Sequence, residues 1–359
     1  MSVLELLRPG LREVTALRLC DYASAGPRLA RLDCNELCLP PSDEELATFR
    51  AALARLPLHR YPDVSGAPLR RALARRWSVD PEEILLGNGS VELIALLMLA
   101  LGSDAPPRRA VVFPDPSFPQ YEVLAHTHGL EPIAVPLGPR FALDEPRYAD
   151  VLASHRPVLS LIASPNNPTG NRFEPAALLR LAARAPGAFV VDEAYADFSG
   201  QSLLPRRAEA PALLILRSLS KVGLAGLRLG ALVGPRELIS VLDRARLPWN
   251  VNAVSLAIGC AALDRPDRLE ARLAAVVRLR EALAADLKAI SGLVVYPSDA
   301  NFILVRSERP AGELERALFE HGVLVKNVSR SGALEGCLRI TVGTAEENAR
   351  CVAALRALV

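Results

Sequence analysis

Lysine is nearly absent from this chain: of 42 Lys and Arg side chains, three are lysine, Lys221, Lys288 and Lys326. Where the two cations are interchangeable the chain uses Arg. A retained lysine therefore points to chemistry that a guanidinium cannot do, forming an imine or giving up a proton. Lys288 follows a periodic helical stretch and reads as a surface residue. Cysteine pairing is also missing. Cys20, Cys34, Cys38, Cys260, Cys337 and Cys351 form no C-x-x-C motif, and no His or Cys pair completes the closely spaced Cys34 and Cys38. That argues against a metal site or disulfide scaffold and for a reduced, cytoplasmic chain.

No apolar run suits a bilayer: Val91 to Leu101 is broken by Glu92 and has about half the required length. The opening MSVLELLRPGLREV lacks the apolar core and small-residue cleavage site of a secretory leader. There is no run of like charge, no low-complexity tract and no repeat of fixed period. With 42 basic and 40 acidic side chains, net +2, no concentrated basic face is expected for nucleic acid. The stretch before Asp43 is also short for a DNA-binding module. These absences leave an ordinary metabolic enzyme with small-molecule partners.

At 359 residues, two domains are expected. Residues 1–34 read as an arm with one short helix. Helical spacing runs from Asp43 to Leu56 and from Pro68 to Trp77, with the turn-like YPDVSG (Tyr61 to Gly66) between them. Strand candidates follow at Ala110–Phe113, Pro132–Val135, Val158–Ala163, Ala188–Val191, Leu213–Leu216 and Gly230–Val233. They alternate with helices at Val91–Leu101, Gln120–His126, Pro175–Arg184 and Arg236–Ala245. Such alternation predicts an α/β domain over 35–258, its sheet mainly parallel and its ligands at the strand ends. Beyond it, 259–359 reads as a smaller α+β domain. It has a long helix from Leu269 to Leu287, strands near Val294, Phe302–Val305, Val323–Val325 and Cys337–Val342, and a closing helix from Glu346 to Leu358.

Four segments carry chemistry. LLGNGS (Leu85 to Ser90) runs into a helix, and a Gly-rich turn there exposes unpaired N–H groups that suit a phosphate. Alone it could be any strand–helix turn. SPNNPTG (Ser164 to Gly170) follows a strand and packs two Asn and two Pro into seven residues. VVDEAYADF sets Asp192 at a strand end, where a buried carboxylate is unfavourable unless paired; a pyridinium nitrogen is such a partner. RSLSKVGLAGLRLG (Arg217 to Gly230) surrounds Lys221 with hydroxyls, glycines and Arg228.

In this order and spacing, the four segments resemble fold-type I pyridoxal-phosphate enzymes, and within them the histidinol-phosphate aminotransferases. The strings LDCNE, RYPD, NGSVELI, NFILVR and CLRITVGT extend the resemblance over nearly the whole chain. It implies a seven-stranded, mainly parallel sheet with a smaller C-terminal domain, and a homodimer with shared active sites. It also implies pyridoxal 5′-phosphate held covalently by Lys221, which then moves the substrate's proton. Asp192 would pair with the ring nitrogen, Asn167 and Tyr195 would bind the ring's 3-oxygen, and Phe118 would stack on the ring. Ser218, Ser220, Arg228 and the N–H groups of Ser90 and Val91 would hold the phosphate, with Tyr61 reaching it from the other subunit. Arg339, helped by Lys326 and Asn35, would bind the substrate, its guanidinium gripping a carboxylate or phosphate.

The activity implied is amino transfer between L-histidinol phosphate and 2-oxoglutarate. Aromatic amino-acid transamination and decarboxylation of a phosphorylated amino acid stay open, because the cofactor serves all three alike. Four positions and one spacing depart from the family pattern. Val91 replaces Asp, Phe118 and Leu17 replace Tyr, Lys326 replaces Arg, and the interval from Lys221 to Arg228 is one residue short.

Overall fold

The computed structural model describes residue 14, residues 29–101 and residues 109–359. The arm's expected helix, Leu17 and Cys20 lie outside them. Seven strands form the larger sheet: β2 (Ile84–Asn88), β3 (Ala110–Asp115), β4 (Glu131–Pro136), β5 (Leu159–Ala163), β6 (Ala188–Asp192), β7 (Leu213–Ser218) and β8 (Leu229–Val233), in the order β2-β8-β7-β6-β5-β3-β4. From β7 to β4 every neighbour is parallel, and β8 runs antiparallel to both β2 and β7.

The central strands are apolar on both faces, as a sheet covered by helices requires. Successive residues feed different cores: Leu161, Val190, Leu214 and Leu232 lie in one, Ile162, Val191, Ile215 and Val233 in the other. Helices α3 (Ser90–Leu101), α4 (Gln120–His128) and α8 (Arg236–Ala245) pack beside β2 and β4. α6 (Pro175–Arg184) and α8 have the bounds that periodicity predicts.

Four helices escaped the reading, the shortest being the single turn α7 (Ala196–Ser199). α5 (Glu145–His155) buries only Tyr148 and Leu152, too few to show a period. α9 (Ala253–Leu263) is apolar all round and has no period to see. α11 (Ala311–Glu320) rests on Ala311, Leu314 and Leu318. β2 was read as a turn; its Leu85 and Leu86 are buried on opposite sides.

The second sheet has the order β1-β11-β12-β10-β9, built from β1 (Ala30–Leu32), β9 (Leu293–Val295), β10 (Phe302–Ser307), β11 (Val323–Asn327) and β12 (Cys337–Thr341). β1 comes from the segment read as arm and pairs parallel with β11. Its alternation, buried Ala30 and Leu32 about exposed Arg31, is too short for a sequence signal. The line drawn at 258/259 falls inside α9, which packs on α1 (Asp43–Ala54) and α2 (Ala67–Trp77). α10 (Pro266–Lys288) and α12 (Ala345–Leu358) cover the second sheet.

A buried ionic network braces the larger sheet where β6 and β7 end. Arg217 gives one nitrogen to Glu193 at 2.9 Å and another to Asp197 at 2.8 Å, and Arg76 reaches Asp197 at 3.0 Å. Ser202 Oγ and the Leu203 N–H also donate to Glu193, each at 2.6 Å. Removing one member of such a group leaves an opposite charge buried and uncompensated. Arg217→Ala is therefore expected to lower the unfolding free energy by about 3–5 kcal/mol, read from urea denaturation. A loss below about 1 kcal/mol, the level of an exposed pair, would show that water reaches the network.

Candidate active site

Strand register gathers the four segments. Ala163 pairs with Asp192, Asp192 with Leu216, Ser218 with Gly230, and Asn88 with Leu229. The loops that follow β2, β5, β6 and β7, and the one that enters β8, thus meet at one edge of the sheet, at the carboxyl ends of its parallel strands.

Asp192 lies at the centre of that edge and is 5 % exposed. Its Oδ2 accepts from the Tyr121 hydroxyl at 2.9 Å and its Oδ1 from the Ala194 N–H at 3.0 Å. Burial outweighs both hydrogen bonds and pushes its pKa up to about 6. Lys221 lowers it only weakly, and among the described residues no Lys or Arg forms an ion pair with this carboxylate, a partner that a protonated ring nitrogen would supply. Tyr121 is fully buried, and its ring meets that of Phe118 edge-on, centroids 5.5 Å apart. Tyr121 went unassigned in the sequence. Its place one helical turn after Phe118 in PSFPQY is the only hint of the role.

Lys221 sits in a 3₁₀ turn (Leu219–Val222) after β7. Its Nζ donates to the Cys34 carbonyl at 3.3 Å and lies 5.8 Å from the centre of the Tyr195 ring. Ser218 Oγ accepts from the Ser220 N–H at 3.3 Å, and Arg228 Nη1 donates to Ser220 Oγ at 3.1 Å. Beside them the backbone is bare. A Cβ on Gly89 would stand 2.7 Å from Arg228 Nη2, and one on Gly230 would stand 2.5 Å from the Ser90 nitrogen. Gly89 also has φ +85°, which glycine accepts without strain. The first turn of α3, two hydroxyls and a guanidinium thus form a cradle closed to side chains, with the chemistry a phosphate requires. Together with the charge-deficient acid and an amine, the residues fit pyridoxal phosphate.

The second sheet brings the substrate candidates. Arg339 on β12 is paired with Lys326 on β11, so both cations lie side by side. Arg339 Nη1 donates to Asn167 Oδ1 at 2.7 Å and Nη2 to the Asp33 carbonyl at 2.5 Å. Asn35, expected at the substrate, makes side-chain hydrogen bonds to Tyr195 and Thr341. Tyr61 stands apart from Lys221: it is 77 % exposed and stacks on Trp249 at 4.3 Å. Further contacts between the two parts include an Arg330–Asp115 ion pair and the Asp299 N–H to the Gly170 carbonyl at 2.8 Å. Neither was foreseen, since nothing local in sequence links their members.

Residues 28–355 match the family described as aminotransferase class I and II. Over 359 residues the chain is 40 % identical to histidinol-phosphate aminotransferase 2 of Nitrosococcus oceani, covering 99 % of this chain and 98 % of that one. It is 38 % identical to histidinol-phosphate aminotransferase of Aquifex aeolicus, covering 92 % of each. Its fold matches the crystal structure of Sinorhizobium meliloti histidinol-phosphate aminotransferase in complex with pyridoxal-5′-phosphate. That match has a TM-score of 0.86 and 23 % identity over 97 % of each chain.

The raised pKa of Asp192 has a consequence for stability. A group that binds its proton more tightly when folded makes the fold lose stability as pH rises from its unfolded pKa to its folded one. The cofactor-stripped protein should lose roughly 2–3 kcal/mol between about pH 4 and pH 6 relative to Asp192→Asn. Parallel urea titrations of the two proteins would measure it, and a constant difference across that range would mean the acid is already paired.

Proposed function

The chain belongs to the class I and II aminotransferases, and from that premise we propose that it transaminates L-histidinol phosphate with 2-oxoglutarate in histidine biosynthesis. The relatives named above carry that activity in their names and align along almost the full chain. The observation that carries the reading is one amine, Lys221, between a buried charge-deficient acid and a cradle of backbone N–H groups.

Pyridoxal 5′-phosphate, when bound, draws off the electrons released as the substrate's Cα–H bond breaks. The protein's part is to bind, orient and move protons. Lys221 would be the covalent attachment point for the cofactor and, as a free amine, the base that takes the proton from the substrate's Cα. Asp192 keeps the ring nitrogen protonated, and Tyr121 holds the acid in place. Phe118 would cover one ring face, and Asn167 and Tyr195 would hold the 3-oxygen. Ser90, Val91, Ser218, Ser220 and Arg228 receive the phosphate. Arg339 and Lys326, adjacent across β12 and β11, receive the substrate's own anionic group, the phosphate of one substrate or a carboxylate of the other. Burial lowers the pKa of Arg339, and an anion restores its favoured charged state.

Residues 35–258 act as the cofactor-holding domain. Residues 259–359, with β1 added, act as the smaller domain that supplies Arg339 and Lys326. A homodimer accounts for the exposed stack of Tyr61 and Trp249, next to exposed Leu58, Val64 and Leu247. A second subunit covering this apolar surface would bring Tyr61 to its partner's phosphate. No described helix is long and apolar enough to cross a membrane, and a cytoplasmic biosynthetic enzyme is the reading we adopt.

Single turnover tests the substrate. Histidinol phosphate alone, among histidinol phosphate, phenylalanine and threonine phosphate, should convert the bound cofactor rapidly to its amino form. Carbon dioxide released from threonine phosphate would replace transamination with decarboxylation. Borohydride should fix the cofactor to Lys221. Lys221→Ala should slow proton transfer by about 10²–10⁴-fold or more, and undiminished turnover there would remove the amine from the mechanism.

A further inference from the structure

Asn35 is buried and holds a left-handed backbone, φ 54°, which Asn and Asp adopt more readily than other side-chain-bearing residues. Every polar group it has is engaged. Its Nδ2 donates to the Tyr195 hydroxyl at 2.9 Å, and its Oδ1 accepts from Thr341 Oγ1 at 3.2 Å. Its N–H donates to that same Thr341 oxygen at 2.9 Å, and its carbonyl accepts from Asn301 Nδ2 at 3.1 Å. Thr341 Oγ1 accepts from the Asn35 N–H and gives its own proton to Oδ1, an arrangement that turns Nδ2 toward Tyr195.

A tyrosine hydroxyl has one proton to give. With Nδ2 donating to its oxygen, Tyr195 keeps that proton for another acceptor. We propose that Asn35 is a positioning residue that fixes Tyr195 as a donor toward the cofactor's 3-oxygen. The inference rests on the reading of Tyr195 given above and adds the group that sets its polarity. It also links both ends of the site. Thr341 lies two residues from Arg339 on β12, hence on the same face, so one buried amide joins the anion-binding strand to the cofactor-facing hydroxyl. Lys221, Arg339 and Tyr121 are the titratable groups that face Tyr195 from the other elements.

The test is a pH titration of the visible absorbance of the bound cofactor in the holoenzyme. A donor to the 3-oxygen draws off its negative charge and weakens its hold on the proton at the neighbouring lysine-linked nitrogen. Loss of the donor should raise the midpoint. Asn35→Asp preserves shape, backbone and the Thr341 contact, but can only accept from Tyr195 and so reverses the bond. It should raise the midpoint by about one unit, the worth of a hydrogen bond to a charged group. Tyr195→Phe should raise it at least as far, and the double variant no further than Tyr195→Phe.

An unmoved midpoint in Asn35→Asp beside a raised one in Tyr195→Phe overturns the proposal. So does a double variant that exceeds Tyr195→Phe, which would mean that the new carboxylate acts by its charge alone. If neither single variant moves the midpoint, the role of Tyr195 itself fails. Should Asn35→Asp not fold, Thr341→Val releases the amide to flip. An upward shift there supports the proposal, and its absence overturns it.

Discussion

Burial of one carboxylate organises this molecule. Asp192 ends a strand whose preceding residues are apolar and fully packed, in surroundings where an ionised acid is disfavoured unless a cation joins it. Tyr121 and the Ala194 N–H offset part of that cost, yet the pKa stays raised at about 6. What remains uncompensated is a preference for a positive ring nitrogen. On the proposed reading, the same preference would keep that ring an effective electron acceptor, so a local deficit in the protein would also serve its chemistry.

The geometry around the acid follows from strand register more than from any loop. Asp192 pairs with Leu216, two residues before Ser218, while Ser218 pairs with Gly230 on the next strand, so acid and cradle stand at the ends of neighbouring strands. β8 matters most here. By running against its neighbours it returns Arg228 and Gly230 to the edge where β7 releases Ser218 and Lys221. A parallel β8 would have sent them to the opposite edge. The short interval between Lys221 and Arg228 is therefore closed by pairing. Arg228 adopts a left-handed φ of 52° where the short loop turns into β8.

The elements legible in sequence were those with a strong period or an unbroken apolar run, such as α6, α8 and β5 to β7. α9 was invisible because burial on all sides erases periodicity, and β1 because three residues carry no pattern. The candidate site divides likewise. Lys221, Asp192 and the SPNNPTG loop announce themselves through residue types that are costly to bury or rare in the chain. Tyr121, Thr341 and Asn301 do not, since each is an ordinary residue whose importance comes from a partner far away in sequence. Asn35 was noticed for its string, and only the fold shows that its amide faces Tyr195.

Val91 and Lys326 illustrate how differently two departures from a family pattern weigh. At Val91 the cradle is made of N–H groups at the head of α3 and of space that only glycine leaves. An apolar side chain there removes no donor that the phosphate needs. At Lys326 the change alters the interaction itself. An ammonium is a point charge with three mobile donors, whereas the guanidinium it replaces is a rigid fork. Paired across the strands with Arg339, it keeps two positive charges on one face but leaves only one of them able to grip an anion in a fixed orientation. On the proposed reading, discrimination between a phosphate and a carboxylate would fall chiefly to Arg339, whose orientation is held by Asn167 and the Asp33 carbonyl. The breadth of substrates accepted would then be tied to how firmly those two oxygens hold one guanidinium.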